Sequence, residues 1–201
     1  MPVPDRSGPN VCVFCGSQRG ARPEYEVAAR RVGAALAASG IGLVYGGGRV
    51  GLMGAVADAA LAAGGRVVGV IPEHLTLREL AHDGLTQLIV VPGMHERKAL
   101  MAARSDAFLA LPGGVGTFEE FFEILTWAVL GLHAKPLGLL NVAGYYDPLL
   151  TLLDHAVAER FVRPEHRDLV VDSNDPEGLT TRIVQHKPPS PGPKWIELDQ
   201  T

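Results

Sequence analysis

Apolar residues along this chain gather in short runs at 11–15, 42–45, 67–71, 87–91, 107–111 and 137–141, with a shorter one at 169–171. Polar positions are nearly absent inside each run. A strand with one face in water alternates apolar and polar residues, so continuous runs point to strands buried on both faces. Between the runs lie helical patterns, at 24–39, 52–63, 94–105, 118–132, 148–161 and 176–185. That periodicity lays one stripe of a helix against a sheet. Strand and helix alternate throughout, which predicts an α/β fold: a Rossmann-like, doubly wound parallel sheet of about seven strands in a single domain.

Residues 72–85 break the pattern and are expected to cross the surface above the carboxyl ends of the strands. "KPPSPGPKW" at 187–195 is too rich in proline to extend a helix or a central strand. The reading is therefore a short tail at 1–10, one Rossmann-like domain at 11–186 and a proline-rich tail at 187–201, disordered or draped on a neighbour. No internal repeat is seen.

Composition narrows the function classes. At 47% hydrophobic and 20% charged, the chain is an ordinary globular sequence able to bury a large core. A net charge of −4 gives no electrostatic reason to expect nucleic acid or an anionic membrane as partner. No apolar run nears the roughly 18 residues of a membrane-span candidate. "MPVPDRSGPN" at the start lacks the apolar stretch of a signal peptide, so a cytoplasmic protein is expected. Cys12 and Cys15 have the C-x-x-C spacing of a redox pair, but they sit inside a strand, where alternation points them to opposite faces. Neither the histidines nor the cysteines show a metal-ligand spacing.

Ligands of open parallel sheets bind beyond the carboxyl ends of the strands. Four stretches fall there: "CGS" at 15–17, "YGGGRVGLMG" at 45–54, "GMHERK" at 93–98 and "PGGVGT" at 112–117. Gly46, Gly48 and Gly51 satisfy G-x-G-x-x-G between a strand and a helix, and Glu73 follows the next strand, the layout of a dinucleotide fingerprint. Tight strand-to-helix turns that need glycine explain the same residues. Gly113, Gly114 and Gly116 let backbone N–H groups approach a ligand closely. A helix opening near Thr117 adds unpaired N–H groups and a positive dipole end, together suited to phosphate. Thr117 and Glu120 equally spell T-x-x-E, a capping box. His95, Arg97 and Lys98 crowd the first turn of another helix, where the macrodipole disfavours cations. They are either a solvated basic helix end or the walls of an anion site. Adjacent on a helix, Arg97 and Lys98 point about 100° apart, so one of them at most faces a reacting centre squarely.

"PGGVGTFEE", with "MHERKALM" and "YGGGRVGLMG" upstream and "TWAVLGLHAKPLGLLNVAGYYDPLL" at 126–150, resembles the LOG (Lonely Guy) family over about 11–171. Members are cytokinin riboside 5′-monophosphate phosphoribohydrolases, often mislabelled as lysine decarboxylases. The resemblance implies hydrolysis of the N-glycosidic bond of N6-substituted AMP, to free base and ribose 5-phosphate; no cofactor and no metal are expected. It implies Arg97 and Glu120 as the catalytic pair, and Gly113, Gly114, Gly116 and Thr117 as the phosphate-binding turn. Ser17, Gly47 and Lys98 match residues lining the nucleotide site, and Glu73 and Glu79 both lie in a variable loop. It implies a homodimer too, with 127–133 as a contact helix. The alternatives from the residues themselves are a dinucleotide- or nucleotide-binding module and a sensor without turnover. A lysine decarboxylase would need a Schiff-base lysine in a recognisable cofactor motif, and none is present.

Overall fold

The computed structural model of the chain describes residues 8–76 and 81–189. In chain order the elements are β1 (Asn10–Phe14), α1 (Pro23–Ala38), β2 (Gly42–Tyr45), α2 (Gly51–Ala62), β3 (Val67–Pro72), β4 (Gln87–Val91), α3 (Met94–Ala103), β5 (Ala107–Ala110), α4 (Val115–Val129), β6 (Leu137–Leu140), α5 (Asp147–Ala158), α6 (Pro164–Arg167), β7 (Val170–Ser173) and α7 (Pro176–Ile183). The seven strands pair in parallel in the order β4-β3-β2-β1-β5-β6-β7.

The register sorts side chains into two cores. Val11 lies beside Leu43 and Ala107, and Val13 beside Tyr45 and Leu109. These residues share one face of the sheet with Val32 and Leu36 of α1, Val56 of α2 and Leu179 of α7. Cys12, Val44 and Phe108 pack on the other face with Met101 of α3, Phe121 of α4 and Leu153 of α5. Layers on both faces make the sheet doubly wound, as the alternating pattern requires. Burying each large side chain fully contributes about 1.5–3 kcal/mol. Cys12 and Cys15 fall in different cores, so alternation does separate them. Both thiols are free and buried, and burial pushes both up, away from the thiolate that redox chemistry needs.

Burial on both faces holds for β1, β2, β3, β5 and β6 but not for β4, where Gln87, Leu88 and Val90 are exposed. An edge strand has a neighbour on one side only. β7, the other edge, is shifted one to two residues later than its apolar run. The helix α6 and two short 3-10 turns, Glu73–Leu75 and Val142–Gly144, were too short to show a period. α4 stops at Val129, so only the first half of the expected 127–133 contact helix is helical.

Residues 190–201, most of the proline-rich tail, lie outside the described residues, as does Glu79; β1 already begins at Asn10, the last position assigned to the first tail. Among the described residues no helix is long and apolar enough to cross a membrane.

Candidate active site

From β1 the chain lays strands outward to β4, then returns with β5 on the opposite side of β1. The sheet's direction of travel thus reverses between β1 and β5, and a crevice opens beyond their carboxyl ends. It is a cleft of about 220 Å³. Its walls are Val13 to Ser17 from the end of β1, Gly46 after β2, Met53 of α2, Arg97 and Met101 of α3, and Gly114 to Thr117 and Glu120 of the β5–α4 turn.

The turn is not capped as T-x-x-E suggests. α4 begins at Val115, with Gly114 as N-cap and no side-chain cap bond. Thr117 is the third helical residue and Glu120 the sixth, so the capping-box reading is overturned. The first intrahelical bond runs from Phe118 N–H to the Gly114 carbonyl at 3.1 Å. The N–H groups of Val115, Gly116 and Thr117 therefore have no acceptor within the helix, and the positive dipole end sits on the cleft. Gly116 and Glu120 are four residues apart and share a helix face. Gly113 stands behind this surface. A Cβ there would lie 2.1 Å from Thr117 Oγ1 and 2.8 Å from the Gly16 N–H nitrogen, so any side chain would dislodge the buried threonine.

Arg97 and Lys98 are both buried, against the reading of a solvated basic helix end, while His95 is exposed. They diverge as their adjacency demands. Arg97 turns into the cleft, where its Nε donates to the Val70 carbonyl at 3.1 Å and its Nη2 to the Gly46 carbonyl at 2.8 Å. Room for it comes from Gly46, where a Cβ would sit 1.9 Å from Nη2. The first glycine of the apparent dinucleotide fingerprint thus accommodates an arginine, which is a different reason for glycine from pyrophosphate contact. Lys98 turns to α4 and bonds Glu119 and Glu123, the latter at 3.0 Å. Burial opposes its charge, but the two carboxylates outweigh burial and hold the ammonium above its ordinary value.

Of the residues expected at the site, Ser17, Gly114, Gly116, Thr117, Arg97 and Glu120 do line one cleft. Lys98 and Gly47 do not. Gly47 lies on the far side of its turn, where a Cβ would meet Ile71 and Leu88, and its carbonyl accepts from His82 N–H at 3.0 Å. Gly113 supports the cleft from behind. Glu73 is exposed on its 3-10 turn and is not part of the wall. Gly46 and Met53, both in the 45–54 stretch, and Met101 of α3 are wall residues beyond those the resemblance implies. Opposite charges meet in the cleft: Glu120 raises the Cys15 thiol further, and Arg97 lowers it by less. Among the described residues no group of histidine, cysteine, aspartate or glutamate side chains could hold a metal ion.

The family model described as "Possible lysine decarboxylase" matches residues 53–183. The chain is 56% identical, over 87% of its own length and 88% of the relative's, to a cytokinin riboside 5′-monophosphate phosphoribohydrolase of Rhodococcoides fascians. It is 48% identical, over 89% of this chain and 82% of the relative, to an enzyme of the same name from Arabidopsis thaliana. Among solved structures, the molybdenum cofactor carrier protein of Chlamydomonas reinhardtii superposes with a TM-score of 0.67, covering 88% of this chain and 96% of that one. At 24% identity this last likeness speaks for the fold alone. With the cleft, its turn and relatives this similar over most of their length, the chain belongs to the Lonely Guy (LOG) family.

Proposed function

We propose that this protein hydrolyses the N-glycosidic bond of adenosine 5′-monophosphates, N6-substituted ones included, releasing the free base and ribose 5-phosphate. One observation carries the reading: Glu120, Arg97 and the helix-start N–H groups of α4 line the same cleft. The relatives' names supply the reaction, and the cleft supplies groups suited to each part of it.

Phosphate sits on the N–H groups at 114–117, where backbone donors and the helix dipole favour an anion. Glu120, one turn further along α4, then lies beside the ribose. Breaking the bond from C1′ to the base nitrogen builds positive charge on the sugar, as in other oxocarbenium-like glycoside cleavages. The Glu120 carboxylate stabilises that charge and orients the attacking water. Water supplies a hydroxyl to C1′ and a proton to the departing base, so the atoms balance. Arg97 keeps a permanent cation between two anions, phosphate and carboxylate, that otherwise repel. Binding energy from the phosphate holds the reacting carbon in place.

A Schiff-base mechanism is disfavoured by the ion pairs of Lys98, which hold its ammonium against the carboxylates of α4 rather than at the cleft. We also propose a homodimer, supported by the exposed Leu130, Leu132 and Phe161 near the end of α4 and after α5.

Incubating the protein with AMP, an N6-prenylated AMP, the two matching nucleosides and NAD tests the reading. Base and ribose 5-phosphate are expected from the monophosphates, with the nucleosides at least about tenfold slower because they lack the anchoring group. Release of base from neither monophosphate would end the proposal, and tight NAD binding without turnover would favour a dinucleotide module.

A further inference from the structure

Two tyrosines, Tyr145 and Tyr146, follow β6 in a segment remote in sequence from the cleft. The chain reaches them through an uncommon backbone. Ala143 has φ 51 and ψ 33, in the left-handed region that a non-glycine residue rarely adopts, and Gly144 follows with φ 73. Asn141 holds this turn: its Oδ1 accepts from Tyr146 N–H at 2.7 Å, and its Nδ2 donates to Asp147 Oδ1 at 2.7 Å. Such a conformation persists only where its surroundings over-determine it, which asks what the turn delivers.

It delivers two hydroxyls to the back of the β5–α4 turn. Tyr146 Oη donates to the Leu111 carbonyl at 2.6 Å, and Tyr145 Oη donates to the Gly113 carbonyl. Between them the Pro112 carbonyl accepts from Gly16 N–H at 3.0 Å. Three successive carbonyls, at 111, 112 and 113, are thus each given a donor. Burial above all, with Tyr145 and Cys15 nearby, pushes the Tyr146 phenol up, so it stays a donor.

The consequence follows from peptide geometry. All peptide bonds described are trans, so the carbonyl of one residue and the N–H of the next point in opposite directions across a rigid plane. A Gly113 carbonyl directed at Tyr145 turns the Gly114 N–H away from Tyr145. Tyr145 lines a small neighbouring cavity with Tyr25, Leu52 and Gly113 and is not on the wall of the main cleft. Gly114 borders both spaces. We propose that Tyr145 is a positioning residue for the anion-binding turn: its hydroxyl locks the peptide between Gly113 and Gly114 so that the Gly114 N–H faces the phosphate. Tyr146 anchors the strand end beneath it. This assignment rests on the reading of the cleft given above.

Tyr145→Phe tests it, because phenylalanine keeps the ring contacts with Tyr25 and Tyr146 and removes only the hydroxyl. Calorimetric titration with ribose 5-phosphate is expected to show affinity about tenfold weaker than wild type, matching loss of a well-aligned hydrogen bond's influence. The KM for AMP should rise similarly, with kcat within about threefold and the melting temperature within about 2 °C. Tyr25→Phe should match wild type in all four. Unchanged affinity and KM in Tyr145→Phe would overturn the proposal, as would a lowered melting temperature with KM unaltered, which is the mark of a merely structural hydroxyl. A wild-type protein that binds ribose 5-phosphate but releases no base defeats the hydrolase reading alone, and the titration still decides the role of Tyr145. Failure of the wild type to bind ribose 5-phosphate overturns both.

Discussion

Replacing Glu120 by glutamine is expected to lower kcat for base release from AMP by about 10²–10⁴-fold, the range for removing a charged group that acts on the transition state. The fold should survive. Glu120 is partly exposed on the cleft wall and five residues inside α4, whose N-cap is Gly114, so no cap is lost. Glutamine has nearly the same volume and keeps a hydrogen-bonding end. A melting temperature within about 2 °C of wild type is therefore expected. What glutamine lacks is the negative charge that offsets a developing oxocarbenium ion. KM should change little, since phosphate binding lies with the backbone. A glutamine variant with wild-type kcat would take Glu120 out of the chemistry.

The second large effect is expected from Arg97→Lys, with kcat/KM for AMP reduced by about 10²-fold although the charge is retained. The guanidinium reaches two carbonyls on different parts of the sheet, Val70 in β3 and Gly46 just past β2, at 3.1 and 2.8 Å. Those two bonds fix the plane of the fork inside the cleft. A lysine ammonium has one nitrogen where the guanidinium uses two, Nε and Nη2, so it does not reproduce both bonds in their places. One buried carbonyl then loses its donor, at a cost of about 1–3 kcal/mol, and the cation wanders from its place. The melting temperature should fall by several degrees, so activity is compared per folded molecule. Near-normal kcat/KM in the folded fraction would show that charge alone suffices and that the fork's orientation is irrelevant.

Much of the architecture was legible because apolar runs and helical periods report burial directly. All seven strands lie where the runs are, and the crevice lies at the carboxyl ends where the glycine-rich turns cluster. Helix starts were less legible. Thr117 and Glu120 imitate a capping box, whereas the true N-cap, Gly114, has no side chain to announce itself. The resemblance puts Lys98 at the nucleotide site with Arg97, but the 100° between adjacent helical residues sends one to the cleft and the other to α4. A signal for that was present: Glu119 and Glu123, four apart on α4, form an acidic edge awaiting a cation. The resemblance puts Gly47 at the nucleotide site, yet in a run of three glycines only the three-dimensional path decides which one faces Arg97, and that one is Gly46. Tyr145 and Tyr146 could not be found by spacing at all, since their partners lie 32 and 35 residues away.

A crystal structure of the Glu120→Gln variant with AMP decides where the nucleotide sits. Phosphate oxygens are expected at about 2.7–3.2 Å from the backbone nitrogens of Gly114 to Thr117, with C1′ of the ribose beside the side chain of residue 120. Nucleotide bound elsewhere, or phosphate held only by side chains with the sugar turned away from residue 120, would contradict this placement.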